Sequence, residues 1–342
     1  MKTKILMLVL AICSFQYVYS QAVPTPAVKN IGTAAPDLTI AKWVKGNEIK
    51  SFEKGKVYVV EFWATWCLPC IAGMPHLSEI AQKYKNEATV MGISVMERAN
   101  TDRAAIEKFV AGMGDKMAYH VGIEEGRTIT KSWLNAYGER GIPCAFIIDR
   151  DGQVAWIGHP RQLDQFLPLV ISGKWNIQSA AVERQERRRL ANLDQNIVVT
   201  TLNPYMGNPG KPLASLVKID SIVKRNPGLK YGANMGHFTF WSLIKTDPQK
   251  ALAFGREWFA ANEEPRYSTV TDAVSGRTGL PNALYIFAAD AYQAQLDKYP
   301  WSMDFPATYK KMADLYRQAG DTAKVDELLK KAEAAEAKTK SD

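Results

Sequence analysis

The chain has 342 residues, 46% of them hydrophobic, with a formal net charge of +8. That length suits two domains, each able to bury a core. So moderate a charge excludes a nucleic-acid-binding signature, and only four cysteines exclude a dense disulfide framework.

Residues 1–20 have the pattern of a signal peptide: Lys2 and Lys4, an apolar run over 5–12, then Val18-Tyr19-Ser20 where a signal peptidase inspects side-chain size. Cleavage before Gln21 would remove Cys13 and, with Lys2 and Lys4, bring the charge from +8 to +6. The apolar run is far shorter than the roughly 20 residues of a spanning helix. Ile12 is too bulky, just before Cys13, for a lipoprotein anchor. The expected location is the periplasm or cell envelope, where a reducing dithiol must be kept reduced by an electron-donor protein.

Residues 21–30 read as a flexible lead-in and 31–173 as one domain. Gly46-Asn47 marks a turn between short strands at about 38–43 and 48–52. The run 57–63 is too uniformly apolar for a one-sided sheet and predicts a buried central strand, with Glu61 inside it. Directly after it comes Trp66-Cys67-Leu68-Pro69-Cys70, followed by helical spacing of Ile71, Met74, Leu77, Ala81 and Tyr84, with Pro75 as an internal kink. Cys67 would then sit at an exposed helix start, where free N–H groups and the helix dipole favour a thiolate. Cys70, one turn on, can reach back to resolve a mixed disulfide. Pro69 is tolerated in a first turn.

Further strands are predicted at 89–95 and 119–123. Helices are predicted at 102–113, capped by Thr101, and at 128–137. Strands at 145–149 and 153–157 meet at Asp151-Gly152 as a hairpin, and Leu163, Phe166, Leu167 and Val170 stripe a closing helix. Residues 174–210 read as a connector: a charged helix over 176–192 with a solvated face and i,i+4 ion pairs, then a Gly/Pro/Asn-rich loop. The remainder, 211–342, shows helical periodicity at 213–223, 237–244, 249–261, 281–296, 308–318 and 324–334, and no convincing strand. Its last pair, from Tyr309, resembles a tetratricopeptide helix-turn-helix, with a looser echo at 241–260. We read an array of helical hairpins in preference to a true repeat superhelix. No catalytic constellation appears in it, so its expected use is to contact a protein partner or to cover the first domain.

The segment 61–70, Glu-Phe-Trp-Ala-Thr-Trp-Cys-Leu-Pro-Cys, together with Pro75 and Gly141-Ile142-Pro143 before a strand, resembles the thioredoxin superfamily, most closely its TlpA/ResA-like branch. The resemblance covers about 31–171. It implies an α/β thioredoxin-like fold, a central mixed sheet flanked by helices, followed here by an all-α helical-hairpin domain. It also implies that Pro143 is cis and lies against the cysteine pair, and that Ile142 lines the site with it. Trp66, Leu68 and Pro69, which surround the cysteines, complete the expected substrate-binding surface. Glu61 matches the buried carboxylate of thioredoxins, where many TlpA-like proteins carry a neutral side chain. Burial should raise its pKa towards that of a thiol and suit it to exchange protons with Cys70.

The expected catalytic residues are thus Cys67, Cys70 and Glu61. Cys144 is read as a buried, inert thiol, with a third reactive thiol as the alternative. His159 is read as a loop or capping residue. His76, His120, His159 and His237 are too scattered to complete a zinc site with the cysteines, so neither a metal nor another cofactor is expected. The expected function is that of an exported thiol:disulfide oxidoreductase acting on disulfide-containing proteins. Two readings compete: a scaffold whose helical half recruits a partner, and a peroxidase of the related AhpC/TSA type. The last needs Thr-x-x-Cys, whereas Thr65 lies two residues before Cys67.

Overall fold

The computed structural model describes residues 28–206, 211–262 and 265–341. The signal-peptide reading of 1–20 and most of the lead-in lie outside them. The last two residues of that lead-in are held in place: the Lys29 backbone amide donates to the Ala136 carbonyl and the Asn30 side-chain amide to the Ala181 carbonyl.

Six strands form one sheet in the order β1-β4-β3-β2-β5-β6: β1 Ile40–Lys45, β2 Val57–Trp63, β3 Ala88–Ser94, β4 His120–Glu124, β5 Cys144–Ile148 and β6 Val154–Gly158. β2 runs parallel to β3 and antiparallel to β5, and all seven of its residues are buried. It is central because both of its faces are apolar. Val57, Val59 and Trp63 join the core beneath α1 (Leu68–Lys83), α2 (Arg103–Met113) and α3 (Leu163–Ile171). Tyr58, Val60 and Phe62 join the opposite core. Period-two alternation puts Glu61 on the first face, under the helix that begins at the cysteines.

Several expectations need correction. No strand forms at 48–52. Gly46 turns the chain with φ +76°, Glu48, Lys50 and Ser51 stay exposed, and Phe52 leaves the sheet plane to pack edge-on against Tyr58 and Trp133. β1 pairs instead with β4. The cap of α2 is Asp102, whose carboxylate accepts from the Ala105 amide, and not Thr101. The helical stretch predicted at 128–137 forms as a wide π turn, Thr130–Leu134, closed by a 3₁₀ turn, Asn135–Tyr137, that places Trp133 and Tyr137 in the second core.

The charged helix is the largest correction. It runs as α4 (Ile177–Ile197), and two of its charges are buried. Arg184 donates to Glu139 at 2.6 Å, to the Tyr137 carbonyl at 2.7 Å and to Asn30 at 3.2 Å, so α4 is pinned to the first half of the chain. Asp194 accepts from the backbone amides of Asn234 and Met235, both at 2.8 Å. It thereby caps a later helix, α7 (Ala233–Thr246), from another helix and satisfies donors that α7 cannot satisfy itself. Removing the guanidinium strands the Tyr137 carbonyl and the Glu139 carboxylate, while Asn30 Oδ1 keeps the Ile31 amide. Because Glu139 keeps about a third of its exposure, we expect Arg184→Ala to cost about 2–3 kcal/mol, below the full value for a dry pair; urea unfolding of the whole chain checks this.

The described residues of the second half contain α-helices and no strand: α5 (Asn203–Met206), α6 (Pro212–Arg225), α7 (Ala233–Thr246), α8 (Pro248–Ala260), α9 (Tyr267–Val274), α10 (Asn282–Lys298), α11 (Phe305–Ala319) and α12 (Thr322–Ser341). α9, absent from the expected set, is eight residues of mostly threonine, serine and valine, with low helix propensity, and tertiary burial stabilises it. Helices α7 to α12 pack on a core of their own around Phe240, Tyr285, Ala288 and Met312, while α6 packs through Ile219 and Ile222 in a separate cluster with Leu202, Met235 and Phe238. The two halves touch where α10 ends: the Arg161 guanidinium donates to the Lys298 carbonyl at 2.7 Å.

Candidate active site

β2 ends at Trp63 and the chain turns through Ala64, Thr65 and Trp66 into α1. Cys67 is the N-cap of that helix, and its Sγ accepts from the Cys70 amide at 3.2 Å. The two cysteines form a disulfide, with Cα atoms 5.3 Å apart. Pro69 occupies the first turn, where its missing N–H costs nothing.

Cys67 is not exposed as expected. Only 2% of it is accessible in this oxidised state, because the disulfide folds into the core that includes Met74 and Ile142. Exposure falls instead to its neighbours, Trp66 at 38% and Leu68 at 54%. These apolar side chains mark the approach to the sulfur.

The Ile142-Pro143 peptide is cis, and both residues are half-buried. Pro143 lines a cavity of about 320 Å³ together with Glu61, Pro69, Cys70, His76 and His159. The sequence therefore assembles from four separate stretches one space that touches the second sulfur's residue and the buried acid. His76 Nε2 lies 3.0 Å from Asp164, which ties α1 to α3 beside this space. His159 caps the turn after β6, accepting from the Arg161 amide.

Glu61 is 3% exposed, and burial pushes its carboxyl up to about 8. Its Oε2 has no hydrogen-bond partner among the described residues, nor does the buried Tyr119 hydroxyl. Burial first, and the Glu61 charge second, push the Tyr119 phenol up as well. A carboxyl held neutral near pH 7, without a fixed partner and facing the cavity of Cys70, can take up and return a proton.

Cys144 follows Pro143, but strand alternation sends it to the other side of the sheet, with Phe62 and Phe146. Burial pushes its thiol well up. The pair Cys67–Cys70 belongs to the opposite core, so the sheet lies between Cys144 and the disulfide.

Two carboxylates that the sequence reading did not single out shape the loop before Cys67. Glu97 accepts from the Thr65 amide at 2.8 Å, the Thr65 hydroxyl at 2.7 Å and the Ser94 hydroxyl at 2.8 Å. Glu124 accepts from the Met96 amide at 3.0 Å and from the amide and hydroxyl of Thr130. Between them Met96 takes φ +57°, and its carbonyl receives the Trp66 indole N–H at 3.0 Å. No local pattern announces either role, because the groups they satisfy lie up to about 30 residues away in sequence.

Comparison with known proteins matches residues 31–157 to the AhpC/TSA family. The thiol-disulfide oxidoreductase ResA of Geobacillus kaustophilus is 30% identical over 159 residues, 46% of this chain and 84% of that one. Protein FixW of Rhizobium leguminosarum is 31% identical over 153 residues, 43% of this chain and 68% of that one. Among solved structures, a thiol:disulfide interchange protein of Chlorobium tepidum is similar at 24% identity, covering 42% of this chain and 98% of that one, with a TM-score of 0.34. These matches cover less than half of this chain. Its first half carries a cysteine pair joined as a disulfide at a helix N-terminus, and through that half the chain belongs to the ResA-like thiol-disulfide oxidoreductases of the AhpC/TSA family.

Proposed function

We propose that the protein is an exported reductase of protein disulfides in the cell envelope, with Cys67 as attacking thiolate, Cys70 as resolving thiol and Glu61 as proton carrier. The observation that supports this most is the cavity shared by Glu61 and Cys70. Cys67 Sγ attacks one sulfur of the substrate disulfide; an S–S bond forms to the enzyme and the other substrate sulfur leaves as a thiolate. Cys70 then loses its proton to ionised Glu61, directly or through water, and attacks Cys67 Sγ. The second substrate thiolate leaves, and the enzyme keeps the disulfide. Two electrons pass from enzyme to substrate. Burial brings the Glu61 carboxyl up to about 8, out of the ordinary carboxylate range and towards that of a free thiol, which is the match that proton exchange with a thiol needs.

Ile142 and Pro143, with Trp66, Leu68 and Pro69, form the surface on which the substrate chain lies. An envelope or membrane dithiol protein returns the electrons. Residues 31–173 constitute the redox unit, 174–210 the connector and 211–342 a helical unit that contacts a partner. The experiment is a redox titration of the full mature chain against glutathione, read by Trp66 fluorescence, alongside insulin reduction driven by dithiothreitol. A potential near −270 mV with turnover supports a reductant. A value near about −120 mV overturns the direction and makes the protein an oxidant.

A further inference from the structure

The turn at 158–162 is a wall between two spaces: His159 and Arg161 line the cavity of Cys70 and also a second one, of about 490 Å³, along the free end of edge strand β6. The second cavity has an aromatic floor. Trp156 stacks on Phe166 with centroids 5.1 Å apart, Phe166 meets Trp175 edge-on at 5.2 Å, and the Trp175 indole N–H is committed to the Ala155 carbonyl at 2.8 Å. Its roof is α4, which contributes Arg184, Arg187 and Arg188.

The charges over this floor do not balance. Arg184 takes the one close carboxylate, Glu139. Arg187 is exposed and Arg188 half-buried, and neither has an ion-pair or hydrogen-bond partner among the described residues. Burial, then the neighbouring Arg184, push the Arg188 guanidinium down, with Arg140 adding to the crowding. Of the remaining lining residues only Glu183 brings another negative charge, against Arg161 and Lys298 on the positive side. Planar guanidiniums above stacked aromatic rings take carboxylates in a fork and apolar side chains beneath them.

We propose that this cavity is a specificity subsite of the redox centre, holding an acidic segment of the substrate polypeptide while its disulfide lies at Cys67. The two spaces are neighbours across the turn at 158–162, which gives both of them His159 and Arg161, and a few extended residues, at about 3.3 Å each, are enough for one bound chain to cross that turn from one to the other. The subsite selects proteins with aspartate or glutamate a few residues from the target disulfide. This rests on the reductase reading above.

The test uses the reduced full-length protein in stopped flow, with Trp66 fluorescence reporting its oxidation. The probes are two disulfide-linked peptides that differ only in carrying aspartates or lysines three to six residues from the cysteine, and the small neutral 2-hydroxyethyl disulfide. At low salt the aspartate peptide should react about tenfold faster or more than the lysine peptide, with the gap closing towards 0.5 M salt as the charges are screened. The double variant Arg187→Glu/Arg188→Glu should lose that gap while its rate with 2-hydroxyethyl disulfide is unchanged. A charge-matched control outside the cavity, Arg225→Glu/Lys330→Glu, should keep most of it, which separates a local subsite from the general positive field. Should the charge reversal perturb folding, Arg187→Gln/Arg188→Gln should still shrink the gap. Equal rates for the two peptides in the unaltered protein, or the same loss in the control, overturn the subsite. Failure to reduce even 2-hydroxyethyl disulfide overturns the reductase reading, and the subsite with it.

Discussion

Cys67→Ser should lower the reduction of insulin disulfides by roughly a thousandfold or more, because a serine hydroxyl is neither ionised at neutral pH nor able to form an S–S bond. Cys70→Ser should behave differently. The first attack needs only Cys67, so this variant should trap one substrate per chain as a mixed disulfide, visible on a non-reducing gel and released by dithiothreitol. The difference follows from placement. Cys67 caps α1, where unpaired amides stabilise a thiolate, and the Cys70 amide already points at its sulfur. Cys144→Ala should leave both behaviours intact, since that thiol lies in the core on the far side of the sheet. Trapping by Cys67→Ser instead of Cys70→Ser would reverse the order of attack.

The expectation of that order depends on local sequence. A seven-residue apolar run, two cysteines at one-turn spacing and a Gly-Ile-Pro before a strand each specify their own neighbourhood. So does Asp151-Gly152, where φ +77° at the glycine closes the β5–β6 hairpin. What the sequence conceals is pairing at a distance. Arg184 sits in a run of charges that reads as a solvated face, yet its acceptors lie 45 and 47 residues upstream. Asp194 looks like any helix-surface acid until α7 comes to rest with its first amides over it. Glu97 and Glu124 belong to the same class: each is a single carboxylate in ordinary sequence whose value comes from backbone donors delivered by another loop. The mistaken strand at 48–52 is the reverse case, where a local turn signal was real but too little apolar surface followed to form a strand. Helical periodicity in the second half was equally legible, whereas the packing of its helices, and hence the cavity roofed by α4, was not.

Glu61→Gln should raise the stability of the oxidised protein at pH 8 far more than at pH 5. In the folded chain the carboxyl stays protonated up to about 8, against an ordinary value of 4.5. The unfolded chain releases that proton at about 4.5, and the folded chain keeps it until about 8. Between those values the folded state binds the extra proton, so stability falls as pH rises, by about 1.4 kcal/mol per unit and roughly 5 kcal/mol across the window. Below about 4.5 the carboxyl is neutral in both states and imposes no such loss; above 8 the loss is complete. Glutamine does not titrate, so urea unfolding of the two proteins at pH 5, 6, 7, 8, 9 and 10 should give a difference that grows steadily up to about pH 8 and levels off above it. Parallel curves would mean that Glu61 is solvated in solution. The same substitution should slow insulin reduction at pH 7 by about tenfold or more, because Cys70 loses its proton acceptor, with the deficit shrinking above pH 9 as hydroxide takes that role. Gain in stability and loss of turnover from one isosteric change would identify Glu61 as a charge buried for proton transfer at the expense of the fold, since an acid serving only the core would give the first effect without the second.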